Sequence, residues 1–218
     1  MTDRVLVVGP DASTYLQGQL SQDVAGLAVG GQAWSFVLAP NGHIDAFVQV
    51  TRLIDEEFAL DVEAGFGEQL HARLTRFLLR TKADVTLHAG GGEPFAPDER
   101  TRIERGIPSM AADLDERAVP AETGWVADSV SFTKGCYTGQ ELVARMDSRV
   151  AEPPRRLVRL RGAGLVAGAR LSVDGADVGS VTSAARDVGL GYVKRGTVLQ
   201  GEARAGDAVI EIVGPVGA

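Results

Sequence analysis

Cysteine is almost missing from this chain: there is one, Cys136, against 44% hydrophobic and 23% charged residues in 218. A single thiol excludes an internal disulfide, and it excludes a self-contained structural zinc or iron-sulfur site, each of which takes about four thiolate or imidazole ligands. Histidine is nearly as scarce, and His43, His71 and His88 have no metal-ligand spacing, so they read as surface residues. No apolar run approaches the roughly 20 residues of a membrane span, and Met1-Thr2-Asp3-Arg4 has neither the charged nor the apolar region of a signal peptide, so the expected compartment is the cytoplasm. The formal charge of −7 gives no general attraction to nucleic acid or to anionic lipid. What remains is an ordinary globular composition, enough for one large domain or two to three small ones.

The one cysteine stands in a stretch of distinctive composition, Ser131 to Met146. Gly135 and Gly139 bracket it, and Lys134, Gln140, Glu141 and Arg145 add polar groups that a purely structural turn does not need. Thr138 and Glu141 have capping-box spacing, which predicts a helix beginning at Thr138 with Leu142, Val143 and Met146 as its buried stripe. Cys136 then lies two residues before the cap, with Lys134 two residues earlier, and both features would favour thiolate over thiol. The competing reading is a small buried apolar residue.

Towards the N-terminus, Val5 to Val8 reads as a buried strand stopped by Gly9-Pro10, and Asp11 as the N-cap of a helix through Leu20. Gln17, Gln19 and Gln22 fall on its solvated face or face a ligand. Ala33 to Leu38 and Ile44 to Thr51 alternate around Pro40-Asn41-Gly42 as a hairpin, Phe58 to Val62 adds a strand, and Leu70, Leu74, Phe77 and Leu78 mark a helix before a strand at Val85 to Leu87. This is an antiparallel α+β pattern. Residues 89–97, with three glycines and two prolines, read as a linker. Asp98 to Arg105 is a short charged helix with Gly106 at its stop. Beyond Pro153-Pro154 only short alternating runs remain, with a hairpin signal at Asp174-Gly175, so residues 151–218 read as a small all-β barrel after an α+β region over 1–150. Arg155, Arg156, Arg159 and Arg161 crowd its start, a local basic patch fit for an anionic group or for solvation alone.

Lys134-Gly135-Cys136-Tyr137-Thr138-Gly139-Gln140-Glu141 resembles the signature of the YgfZ-type folate-binding proteins, relatives of the glycine-cleavage aminomethyltransferase that act in iron-sulfur cluster assembly and repair. The likeness extends to Tyr15-Leu16-Gln17-Gly18-Gln19, to Arg102-Ile103-Glu104-Arg105-Gly106-Ile107-Pro108, and to Val178-Gly179-Ser180 with Leu190-Gly191-Tyr192. It implies an aminomethyltransferase-like α+β fold with a C-terminal barrel, shortened between the strand near 87 and the element at 102. It also implies tetrahydrofolate, or a one-carbon derivative, as cofactor and iron-sulfur client or assembly proteins as partners. Cys136 and Lys134 become the reactive candidates. Arg102, Glu104, Glu122, Tyr137 and Gln140 become the cofactor-binding ones: a guanidinium suits the glutamate part of folate and a carboxylate suits pterin N–H groups. Trp125 stacks on such a ring or fills a core.

Two other functions compete. A true aminomethyltransferase needs a carboxylate near the amine; where the family's transferases carry two adjacent acidic residues, this sequence has Asp45-Ala46. The other is a thiol-bearing module without folate, or a Cys136 nucleophile with a histidine partner.

Overall fold

The computed structural model describes residues 1–148 and 152–217. In chain order the elements are β1 (Thr2–Val8), α1 (Ala12–Gln19), β2 (Gln32–Leu38), β3 (Ile44–Ile54), β4 (Glu57–Glu63), α2 (Gly67–Thr75) and β5 (Asp84–His88). Then come α3 (Glu99–Glu104), α4 (Pro120–Thr123), α5 (Val126–Ser129) and α6 (Gln140–Ser148). Six strands finish the chain: β6 (Arg155–Arg161), β7 (Arg170–Val173), β8 (Ala176–Ala185), β9 (Val188–Lys194), β10 (Gly201–Ala205) and β11 (Ala208–Pro215). They form two compact units, Met1–Phe95 with Val126–Arg145, and Ala96–Trp125 with Met146–Ala218. The boundary expected at Val150 lies outside the described residues, and residues 96–125, read from the sequence as part of the first region, pack with the barrel.

The first unit is an antiparallel sheet in the order β2-β3-β4-β1-β5. Alternation in the sequence becomes an apolar row across it, buried at Val50, Leu60 and Val5 and part-buried at Leu87: Val50 opposes Leu60, Leu60 opposes Val5, and Val5 opposes Leu87. α1 packs on β4 and α2 on β1 and β5. Leu16, Leu20, Leu70 and Leu74 are buried completely or nearly so, each contributing about 1.5–3 kcal/mol. Arg4 and Asp61 face each other across β1 and β4 in a two-pronged ion pair of 2.7 and 2.8 Å.

Two local readings are corrected here. Asp11 does not cap α1 with its side chain; its carboxylate takes the Lys82 amide at 2.8 Å while the Asp11 amide donates to the Lys82 carbonyl, so the pair ties the start of α1 to the chain entering β5. The helix expected to include Phe77 and Leu78 stops at Thr75. The Leu74 carbonyl, which a continuing helix would offer to Leu78, accepts from the Tyr15 hydroxyl at 2.5 Å, and the Leu78 amide turns back to Thr75. Phe77 consequently leaves the helix face and lies under the Arg73 guanidinium at 4.2 Å.

Residues 89–97 are irregular, as glycine and proline dictate, and they are also tied down. Asp3 accepts from the amides of Gly65, Gly67 and Gly90, a set led by Gly90 that holds its carboxyl below the usual range against the opposing effect of burial. Gly92 and Glu93 donate to Thr2 and Asp61, and Phe95 sets its ring edge-on against Trp34.

The second unit is a closed barrel in the order β10-β11-β6-β9-β8-β7. Val158, Leu160, Leu171, Val181, Val193, Ile210 and Ile212 fill one cluster. Leu157 alternates to the other side and joins Ile103, Leu190, Tyr192 and Val216, where α3 packs on β8 and β9. Asp174 and Gly175, at φ 50° and 80°, make the tight turn between β7 and β8. The α+β region with a closed β barrel is the architecture the sequence pattern implied.

Candidate functional site

The stretch from Ser131 to Gln140 is a loop fastened to the first unit along its length. The Ser131 amide donates to the Ser21 carbonyl and the Thr138 amide to the Gly18 carbonyl. Gly139, at φ 80°, lies so close to the β2–β3 turn that a Cβ there would meet the Ala39 carbonyl oxygen at 2.5 Å and Leu38 Cβ at 2.7 Å. Gly42, in that turn, presses equally hard on Leu142. Three stretches distant in sequence, 15–22, 38–42 and 131–142, therefore meet.

Lys134 is the principal fastener. Its Nζ donates to the carbonyls of Gln17, Leu20 and Gln22 at 2.5, 2.6 and 3.1 Å, and its ammonium lies 5.1 Å from the centre of the Tyr137 ring. These are carbonyls at and just beyond the C-terminal end of α1, where a cation is favoured by the helix dipole. Burial pushes the group down to about 8, with Asp23 pulling it back up, so it is chiefly an ammonium at neutral pH.

Cys136 is exposed and has no hydrogen-bond partner among the described residues. The two features expected to promote its thiolate are arranged otherwise. Lys134 spends its three N–H groups on carbonyls, and the helix begins at Gln140, four residues after the thiol instead of two. Gln140, not Glu141, makes the backward contact of a cap: its side-chain oxygen accepts from the Tyr137 amide at 3.1 Å. Tyr137 is buried, and burial raises its hydroxyl to about 12. The loop thus brings Lys134, Cys136, Tyr137 and Gln140 together, with three of the four holding the fourth in position. Gln17, Gln19 and Gln22 are likewise committed, to the 24–25 amides, to Arg73 and to the Asp128 carbonyl.

The remaining candidates lie in the second unit. Arg102 is buried, and all five of its N–H groups have acceptors: both oxygens of Glu99, the Ile107 carbonyl, Asp113 and Ser183. No donor is left for a ligand carboxylate. Glu104 is exposed and pairs with Arg100 at 2.9 Å. Trp125 donates from Nε1 to the Gly106 carbonyl and packs on the Val216 cluster, so it fills a core. Glu122 differs from these. It is buried, its carboxyl is raised by desolvation against the pull of Arg155, and it lines a cavity of about 610 Å³ with Asp115, Arg155 and Lys194. Arg155 reaches both Glu122 and Asp115 and stacks on Tyr192, whose hydroxyl is buried without a hydrogen bond. Sequence reasoning missed Asp113 and Asp115. Their alternation in Ala112-Asp113-Leu114-Asp115 was the available signal, but their arginine partners are remote in sequence.

No protein-family model matches the chain. Among curated proteins it is 37% identical to the tRNA-modifying protein YgfZ of Serratia proteamaculans, over 94% of this chain and 79% of that one. The chain belongs to the YgfZ family. The alignment runs over 277 positions, more than the 218 residues here, so it opens gaps opposite stretches that the Serratia protein has and this family member lacks. A mitochondrial iron-sulfur cluster assembly factor homologue of Pyricularia oryzae is 27% identical over 66% of this chain, which spans 52% of that relative's length. In fold, the chain superposes over its whole length on 84% of the glycine cleavage system aminomethyltransferase T of Bartonella henselae, with a TM-score of 0.84 at 17% identity. This YgfZ-family chain thus has the aminomethyltransferase architecture. Among its described residues no group of three or more His, Cys, Asp and Glu side chains could hold a metal ion, and no helix is long and apolar enough to cross a membrane.

Proposed function

We propose that this chain is a tetrahydrofolate-binding accessory factor for the assembly or repair of iron-sulfur proteins, in which Cys136 is the group offered to a cluster or to its protein client. The observation that carries the reading is an exposed thiol on a loop whose other side chains immobilise it. One thiolate supplies one of about four cluster ligands, so the cluster is cargo shared with another protein rather than held here alone. The name of one relative, an iron-sulfur assembly factor, supports this sphere of action, and that of the other, a tRNA-modifying protein, names a second one. Lys134 is a positioning residue in this scheme: it fixes the loop and does not share its protons with sulfur.

For the folate, Glu122 is the residue of choice. A buried carboxylate in a cavity within the 300–1,000 Å³ range of small-molecule sites can accept the N–H donors of a pterin ring. Arg102 and Glu104 are assigned to the fold instead, and Tyr137 and Gln140 to the thiol loop. Tetrahydrofolate, when bound, supplies a carrier for a one-carbon unit; the chain's own contribution is to orient it. Aminomethyl transfer is disfavoured at Asp45-Ala46, where one acidic residue stands in place of the transferases' adjacent pair and one of its carboxylate oxygens is taken by Arg73 at 3.0 Å.

The test is the melting temperature with and without tetrahydrofolate. Ligand at about 100 times its dissociation constant adds roughly 2.7 kcal/mol, or about 5–10 °C for a chain of this size. We expect that shift in the native protein and a diminished one in Glu122→Gln. No shift at millimolar ligand would remove folate from the proposal and leave a thiol-bearing interaction module.

A further inference from the structure

Where β9 runs into the loop before β10, a cavity of about 210 Å³ is lined by Arg156, Lys194 and Arg195 with Val198 and Leu199, and Glu152 is its only acidic residue. A neighbouring cavity of about 360 Å³ shares Val198 and Leu199 and adds Arg159 and Pro215 with no acidic residue. The two make one groove carrying four cations against one carboxylate, in a chain whose net charge is −7. Arg159 is partly engaged, donating to the Pro215 carbonyl at 3.2 Å, and the donors that remain lie chiefly on Arg156 and Arg195. Arg156 has no hydrogen bond among the described residues and only a 3.9 Å ion pair with Glu152. Arg195 uses Nε on the Pro153 carbonyl at 3.3 Å, and its terminal nitrogens have no acceptor among the described residues. Lys194 is 62% exposed, donates to the Asp177 carbonyl at 3.2 Å and lies 3.4 Å from the Asp177 carboxylate, so it contributes less to the groove than the two arginines.

We propose that this groove docks an acidic peptide segment of a protein partner, one in which carboxylates alternate with aliphatic side chains. Guanidinium forks match carboxylates two-pronged. Val198, 68% exposed, and Leu199 give the floor an apolar character that suits aliphatic side chains. No aromatic ring lines either cavity, so there is no platform on which the bases of a single-stranded nucleic acid would stack. The cavity on the far side of Lys194 differs in balancing three acidic residues, Asp115, Glu116 and Glu122, against Arg117, Arg155 and Lys194. The groove needs neither Cys136 nor folate.

The experiment is calorimetric titration of the intact chain with a blocked hexapeptide of alternating glutamate and leucine, alongside hexauridylate and a γ-linked tetraglutamate. The peptide should bind saturably, weaken several-fold between 50 and 200 mM salt, and lose at least ten-fold in Arg156→Glu and Arg195→Glu, with Cys136→Ser unchanged. Arg195→Ala, which introduces no new charge beside Glu152, should show the same direction if either reversal perturbs folding. The proposal is overturned by absence of binding at millimolar peptide, by binding indifferent to these substitutions, or by tighter binding of hexauridylate or of the γ-linked chain.

Discussion

Replacing Lys134 by methionine keeps the side chain's length and its contact with Tyr137 but strips the ammonium from three carbonyls. Hydrogen bonds to a charged group contribute about 1.5–3 kcal/mol each. Most of that gross value is offset by the cost of burying the ammonium, the same cost that lowers its proton affinity to about 8. With the carbonyls of a half-buried loop regaining water, a net loss of about 2–3 kcal/mol follows, or roughly 5–10 °C in melting temperature. Urea denaturation of native and Lys134→Met protein measures it directly. The pH dependence carries a definite sign. Between about 8 and 10.5 the unfolded chain holds a proton that the folded Lys134 has released, so stability relative to the methionine variant rises with pH. The rise stays below the full 1.36 kcal/mol per unit because the side chain is partly in solvent. Equal stabilities of the two proteins would refute the fastening role, and a gap that narrows over this window would show that folded Lys134 holds its proton more tightly than the unfolded chain does.

Arg102→Ala should cost about 3–5 kcal/mol, because it leaves Asp113 charged, buried and unpaired; calorimetric melting checks it, and loss of ligand binding in this variant would report unfolding rather than a missing contact. Gly139→Ala should cost about 1–3 kcal/mol from its φ of 80° and the collision with the Ala39 carbonyl, and it should slow labelling of Cys136 by a bulky maleimide as the loop shifts, with an unchanged melting temperature as the contrary result.

Much of the fold was legible because its signals are local. Alternation found β2 to β4, Asp174-Gly175 fixed the β7–β8 turn, and the short charged helix read over Asp98 to Arg105 forms as α3. Failures occurred where a distant group took over a backbone atom. Tyr15 ended α2 from 59 residues away, and Lys82 recruited Asp11 from 71. The site behaved in the same way. Its motif was readable as a string, but the role of Lys134 is set by carbonyls 112 to 117 residues earlier, and that of Arg102 by Asp113 and by Ser183, 81 residues on. Spacing within a motif gives neighbours along the chain, and these donors were satisfied by neighbours in space.

The central claim is that the thiol of Cys136 performs the work while the loop around it holds it out. Rescue of iron-sulfur enzyme activity by Cys136→Ser, in cells lacking the protein, tests this most directly. An exposed thiol with no partner among the described residues predicts a variant that melts within about 1 kcal/mol of the native protein and does not restore activity. Full rescue by the serine variant would contradict the account.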